Sequence, residues 1–248
     1  MELTRRSREL RINTIKLSKA NGGYHYGGSF SCCEILIALF DSVMTPNDDF
    51  VLSKGHACWP YYVLLREKGY QPRLEGHPVR DPQNGVLCTT GSLGHGFPTA
   101  VGLALAKSTK DNSSGRVFVL LGDGECQAGT TWESLLIGSK LGLNNLVVIV
   151  DWNGIQGSDY IKNVLPLTKE VVIALAESLH WEVFEVDGHD IHDITAILSK
   201  CYFQPVLVIA ETIKGKGVSF MENDPAWHSK WLDPEHERIA FDELMSKC

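Results

Sequence analysis

Residues 117–157, VFVLLGDGECQAGTTWESLLIGSKLGLNNLVVIVDWNGIQG, contain two apolar runs that each stop at an acid. Val117–Leu121 breaks into Gly122-Asp123-Gly124, and Leu146–Val150 breaks into Asp151-Trp152-Asn153-Gly154. Both runs are rich in β-branched residues and lack apolar/polar alternation, the pattern of strands covered on both faces. The helical spacing between them makes the stretch a βαβ unit, and such units build parallel sheets. Working outward, strand-like runs also occur at Asp49–Leu52, Glu182–Val186 and Val206–Ala210, and the last two share the pattern of strands covered on both faces. Helical periodicity covers residues 3–20, 31–43, 58–69, 97–109, 132–142, 169–180, 190–200 and 235–246. The expectation is an α/β fold over 1–248, one domain, with a parallel sheet of about five strands flanked by helices on both faces.

The bulk numbers narrow the function. A chain of 248 residues with 44% apolar content holds one full core. A net charge of −7 and the absence of a basic stripe with interleaved aromatics argue against nucleic acid or an anionic membrane as partner. No run of about 18 apolar residues is present, so neither a signal peptide nor a spanning helix is expected. Seven cysteines, with Cys32 and Cys33 adjacent and no C-x-x-C, fit reduced packed thiols rather than a disulfide frame or zinc site. A cytoplasmic location follows as the expectation.

In an open parallel sheet, ligands bind beyond the carboxyl ends of the strands. Asp123 and Asn153 sit at two such ends. Their hard oxygens suit Mg²⁺, which is commonly held by one or two protein oxygens together with phosphates. The glycines beside Asp123 let a diphosphate approach the backbone, and the helix after Thr130 and Thr131 offers amides nearby. Acids and amides are also ordinary turn residues after strands. The pairing of GDG with Asn153 across 28 intervening residues, each closing a buried run, favours the clamp. The irregular, glycine-rich stretch from Gly69 to Gly96 is longer than a connector, and its CTTGSLGHGFP reads as a loop that lets backbone approach a ligand. It is no dinucleotide fingerprint, since GSLGHG is not G-x-G-x-x-G and no strand directly precedes it. His25, His56, His77 and His228 each lie in a loop marked by Gly or Pro, where they can carry protons and bind hydroxyls. His180, His192 and His236 fall in helical stretches without a function, and His189 reads as a turn cap.

GDG followed after about 25 to 30 residues by N is the thiamine-diphosphate signature. The chain resembles the N-terminal, diphosphate-binding domain of transketolases nearly end to end, with LSKGHA (52–57), GHP (76–78), TTGSLGHG (89–96), GDGECQAGTTWE (122–133), DWNGIQG (151–157) and VDGHD (186–190) in the family's order. The resemblance implies that Asp123, Asn153 and the Ile155 carbonyl coordinate Mg²⁺, and that Gly124 contacts the diphosphate. It places Gly91, Ser92 and Leu93 along the cofactor rings, adds Glu125 to the cofactor-binding set, and sets His56 and His228 against the diphosphate and the reacting centre. His25, His77 and His228 become the catalytic candidates, the first two binding ketose hydroxyls. Glu133 matches a family glutamate at an interface between protomers. His95 stands where many relatives have glutamine, Ala128 where they carry a glutamate, and GGYHYGG replaces the usual SGHPGAP.

In this family the glutamate that activates the cofactor comes from a second, pyrimidine-binding domain. The sequence reads instead to a charged helix, DPEHERIAFDELMSKC, at about a third of a full transketolase. The resemblance therefore implies one subunit of a split enzyme, with a partner carrying the pyrimidine-binding and C-terminal domains in an α₂β₂ assembly. The pair would use thiamine diphosphate and Mg²⁺ to move a two-carbon ketol unit from a ketose, expected to be phosphorylated, to an aldehyde. The alternatives are a component of another thiamine enzyme with a pyruvate-type or 2-oxo-acid donor, whose members usually lack the KGH, GHP and AWH histidines, and a cofactor-binding protein without activity.

Overall fold

The computed structural model describes residues 4–109, 115–157 and 159–246. Thr4 opens α1 (Arg5–Ala20) by accepting the Ser7 N–H on its hydroxyl, 3.2 Å. Position 3 of the first helical range lies outside the described residues. The helix expected over 31–43 instead begins earlier and is interrupted. It forms α2 (Tyr26–Ser31) and α3 (Cys33–Ile37), then widens into a π-helical turn over Ala38–Val43. β1 (Asp49–Leu52) leads to α4 (Cys58–Glu67), and the long loop ends at α5 (Gly96–Ser108). The βαβ unit follows as β2 (Val117–Gly122), α6 (Gly129–Lys140) and β3 (Leu146–Trp152).

A short hairpin of β4 (Ile155–Gln156) and β5 (Asp159–Tyr160) runs into α7 (Ile161–Val164) and α8 (Lys169–Ser178). The chain then forms β6 (Glu182–Asp187), α9 (Ile191–Leu198), β7 (Val206–Glu211) and α10 (Pro234–Ser246). His180 is not helical, contrary to the expectation from the sequence: α8 stops at Ser178 and His180 turns through a left-handed backbone at φ 62°.

The five long strands pair in parallel in the order β1-β2-β3-β7-β6. Alternate residues supply two apolar layers. Phe118, Leu120, Val147 and Ile149 pack with Leu10, Leu36, Tyr62 and Ile194 on one face. Val119, Leu121, Val148 and Val150 pack with Phe97, Val101, Leu135 and Val172 on the other. Cutting Ile149 to alanine in such a layer costs about 2–5 kcal/mol. β6 departs from the expectation of a strand covered on both faces. It is one of the two sheet edges, and only Val186 of its six residues is buried. A third cluster docks the C-terminal segment, through Val218, Met221, Trp227 and Ala240, onto Ile15, Tyr26 and Phe30.

Register fixes what the strand ends present. Gly122 lies opposite Asp151, and Trp152 lies opposite Glu211. The next residues on β2 and β3 are therefore Asp123 and Asn153, side by side at the carboxyl edge.

Candidate active site

Asp123 is buried, and its carboxylate is held by backbone amides. Oδ2 accepts from the N–H groups of Asn153 (3.0 Å) and Gly154 (2.6 Å), and Oδ1 accepts from Gly124 (2.8 Å). Burial, and then the neighbouring Asp151 carboxylate, push the Asp123 carboxyl up to about 6, against the pull of Lys214 and the Gly154 amide. A buried carboxylate so disfavoured as an anion is a strong oxygen donor for a divalent cation. The Asn153 Oδ1 accepts from the Ile155 N–H at 3.2 Å, which aims the amide into the turn beside it. The Ile155 carbonyl, the third candidate ligand, accepts from the Lys214 ammonium at 3.0 Å and keeps a second lone pair. Two side-chain oxygens and a carbonyl, with a cation already drawn to one of them, make an oxygen set that fits Mg²⁺.

Asp151, the acid that ends the second apolar run, plays a different part. It is fully buried and paired with the Lys54 ammonium, with the Ser31 hydroxyl (2.5 Å) and with the Thr212 hydroxyl. Burial opposes its charge, but Lys54 and the two hydroxyls outweigh it and hold the carboxyl below its ordinary range. Lys54 also donates to the Gly28 carbonyl at 2.9 Å. Lys54 and Lys214 were not among the residues expected from the sequence. Both line a cleft of about 490 Å³ together with Asp123, Gly124, Asn153 and Ile155. Burial, and then Lys54, bring Lys214 down to about 8 despite the pull of Asp123. The clues available were the KGH that follows β1 and the KGKG that follows β7, each at a carboxyl strand end.

Four loop histidines converge on the same cleft. The His25 ring lies 5.6 Å from His56, 5.8 Å from His77 and 5.4 Å from His228, centroid to centroid, and His56 lies 4.9 Å from His228. His25 takes a left-handed backbone at φ 67° where α2 begins, and its Nδ1 is buried without a hydrogen-bond partner. An orphaned ring nitrogen on a residue that lines a polar cleft fits a substrate hydroxyl. Two glycines are required by close approach. A Cβ on Gly28 would sit 2.6 Å from His56 Nε2, and one on Gly91 would sit 2.8 Å from the His77 ring. His228 Nδ1 stands 3.0 Å from the Lys214 ammonium and so accepts from it. Burial first, then neighbouring cations, lower His228 to about 3 and hold His56 well below its ordinary value; burial and then His77 lower His25 to about 4. Burial alone lowers His77. At neutral pH these rings are neutral donors and acceptors.

Other candidates fall differently. Glu125 is buried with its carboxylate committed to the Ser53 hydroxyl (2.5 Å) and the Gly94 and Gly122 amides (2.9 Å each), so it shapes the loop around the cleft. Gly91 and Leu93 line the cleft, whereas the Ser92 hydroxyl turns to His95 Nδ1 at 3.2 Å. Glu133 is exposed on α6, and Ala128 is half-buried where that helix starts. His189 is no turn cap. Its ring is buried, with Nδ1 2.9 Å from Glu34 and Nε2 accepting the Ile213 N–H at 2.8 Å. Cys32, Cys33, Cys58 and Cys126 are buried free thiols, and Cys248 lies outside the described residues. No helix among the described residues is long and apolar enough to cross a membrane.

A parallel sheet whose adjacent strand tips present an acid and an amide beside a histidine-lined cleft defines a thiamine-diphosphate-binding α/β protein. The chain belongs to the transketolase family: residues 3–240 match its N-terminal, thiamine diphosphate binding domain. It is 35% identical to one of the subunits of the apulose-4-phosphate transketolase of Actinobacillus succinogenes, over 98% of this chain and 96% of that protein. It is 32% identical to the 6-deoxy-6-sulfo-D-fructose transketolase subunit SqwG of a Clostridium species, over 98% and 96%. Human transketolase is 34% identical over 96% of this chain, which spans only 41% of that protein. The crystal structure of Campylobacter jejuni transketolase superposes with a TM-score of 0.84 at 26% identity, covering 97% of this chain and 42% of that one.

Proposed function

We propose that this chain is the diphosphate-binding half of a two-component transketolase, which moves a two-carbon ketol unit from a phosphorylated ketose to an aldehyde. The observation that carries this reading is the convergence of four neutral histidines on the cleft that also holds Asp123, Asn153 and Lys214. Thiamine diphosphate, when bound, supplies the carbon–carbon bond chemistry. The protein's own residues bind and orient. Asp123, Asn153 and the Ile155 carbonyl hold Mg²⁺, the Gly124 backbone meets the diphosphate, and Lys214 neutralises its charge. His25 and His77 take ketose hydroxyls, while His228 holds its ring poised through the Lys214 ammonium.

The partner supplies the pyrimidine-binding and C-terminal domains, and the assembly is α₂β₂, made of two such pairs. Support comes from the split-transketolase relatives of matching length and from apolar side chains left in solvent on α5, on α6 and at the end of α6: Leu105, Leu136, Ile137 and Leu141. An obligate interface of more than about 2,000 Å² would cover such a face. Residues 1–248 act as one domain, and free thiols together with the lack of an apolar spanning helix among the described residues support a cytoplasm-like compartment.

Reconstitution tests the reading. Chain, partner, thiamine diphosphate and Mg²⁺ together are expected to cleave ketose phosphates and transfer two carbons to an aldehyde. Turnover of pyruvate but of no ketose would refute it.

A further inference from the structure

Beyond the residues that line the cleft, one buried network reaches it from behind. Arg11 of α1 and Glu34 of α3 form a bidentate ion pair (2.6 and 2.8 Å) with both side chains essentially inaccessible. Glu34 Oε2 also meets His189 Nδ1 at 2.9 Å, and His189 Nε2 faces the Ile213 N–H at 2.8 Å. A peptide N–H can only donate, so Nε2 carries no proton and Nδ1 donates its own to Glu34. On the other side, Arg11 Nε donates to the Lys216 carbonyl at 2.7 Å. The same network therefore grips the Ile213–Lys216 turn at both ends, and Lys214 projects from between those two points into the cleft. The backbone between them is fixed further by Gly215 N–H on the Gly27 carbonyl, 2.9 Å.

We propose that His189 is a positioning residue which, with Glu34 and Arg11 behind it, sets the Lys214 ammonium for the diphosphate. Buried ion pairs are seldom retained for net stability, because desolvation offsets their attraction. Here the pair has a directional product: it fixes one tautomer of His189 and through it the entry angle of the Lys214 turn. A protonated ring would point an N–H at the Ile213 N–H, so the brace exists only in the neutral Nδ1–H form.

The role toward the diphosphate rests on the functional reading above, and two measurements keep them apart. In the chain without cofactor, long-range ¹H–¹⁵N NMR of the imidazoles is expected to show Nδ1–H for His189. In His189→Leu, the Ile213 amide is expected to exchange at least about tenfold faster, while amides in the middle of β7 stay unchanged. His189→Gln, which offers one acceptor and one donor, should restore part of the protection. An Nε2–H tautomer, or unaltered Ile213 exchange, overturns the brace. Calorimetric titration with thiamine diphosphate and Mg²⁺ then forms a double-mutant cycle with Lys214→Met. His189→Leu is expected to weaken binding about tenfold in the wild-type background and less than about twofold in Lys214→Met. Equal losses in both backgrounds overturn the action through Lys214. If Lys214→Met itself leaves binding unchanged, the diphosphate reading of Lys214 fails, while the brace stands or falls on the NMR and exchange results.

Discussion

Asp123→Asn is expected to stabilise the cofactor-free protein while destroying its metal site. The Asp123 carboxyl stands at about 6 against an ordinary 3.8, so folding is opposed once that group must ionise. A carboxyl raised in the folded state contributes stability that is present at low pH and lost as pH rises through about 6. By pH 7.5 the cost approaches ~3 kcal/mol at ~1.4 kcal/mol per pH unit. Asparagine removes the charge. Its oxygen can keep the two bonds from Asn153 and Gly154, but its NH₂ then faces the Gly124 N–H, at a cost of about 1–2 kcal/mol. The net gain is about 1–2 kcal/mol, or several degrees in Tm for a chain of this size. Calorimetry at pH 7.5 in EDTA reads the gain, which should shrink by about 2 kcal/mol at pH 4.5 as the wild-type carboxyl protonates. Adding Mg²⁺ and thiamine diphosphate should raise the Tm of the wild type only. A variant less stable than wild type at pH 7.5, or one stabilised equally by cofactor, would refute the reasoning.

Asn153→Ala is expected to lower Mg²⁺ affinity about 10–100-fold, measured by titrating the cofactor-dependent Tm shift with metal. Because His25 is lowered to about 4 and His228 to about 3, neither should titrate near 6.5; imidazole NMR between about pH 6 and 8 should find both neutral, with no titration step near the ordinary value. For stability, depressed histidines bind fewer protons folded than unfolded, so their contribution rises with pH between about 4 and 6.5. Arg11→Met leaves the Glu34 carboxylate buried without its ion-pair partner and should cost about 3–5 kcal/mol in urea denaturation, partly recovered in Arg11→Met/Glu34→Gln.

What the sequence disclosed follows physical lines. β2 and β3 were legible because continuous β-branched runs have one comfortable home, a strand buried on both faces, and Asp123 and Asn153 followed from where those runs stop. The four histidines were found by their loop context, and the fold brings their rings to one cleft. Lys54 and Lys214 escaped because lysine is ordinarily a surface residue. Only the fold brings Lys54 to Asp151, 97 positions away, and Lys214 to the Ile155 carbonyl. His189 looked like a turn residue because its partner Glu34 lies 155 positions away. The Ser92 hydroxyl, read only as part of its motif, is taken by His95 within the loop, a local contact that the sequence pattern does not announce. The early start of α2 escaped because GGYHYGG carries no helical apolar spacing.

The central claim is that the tips of β2 and β3 clamp a metal diphosphate. Titration of thiamine diphosphate into the chain, with Mg²⁺ and again with EDTA, tests it most directly. One saturable site that needs Mg²⁺ and weakens more than about 100-fold in Asp123→Ala is the expected result. Binding that persists in EDTA, or that Asp123→Ala leaves unchanged, would contradict it.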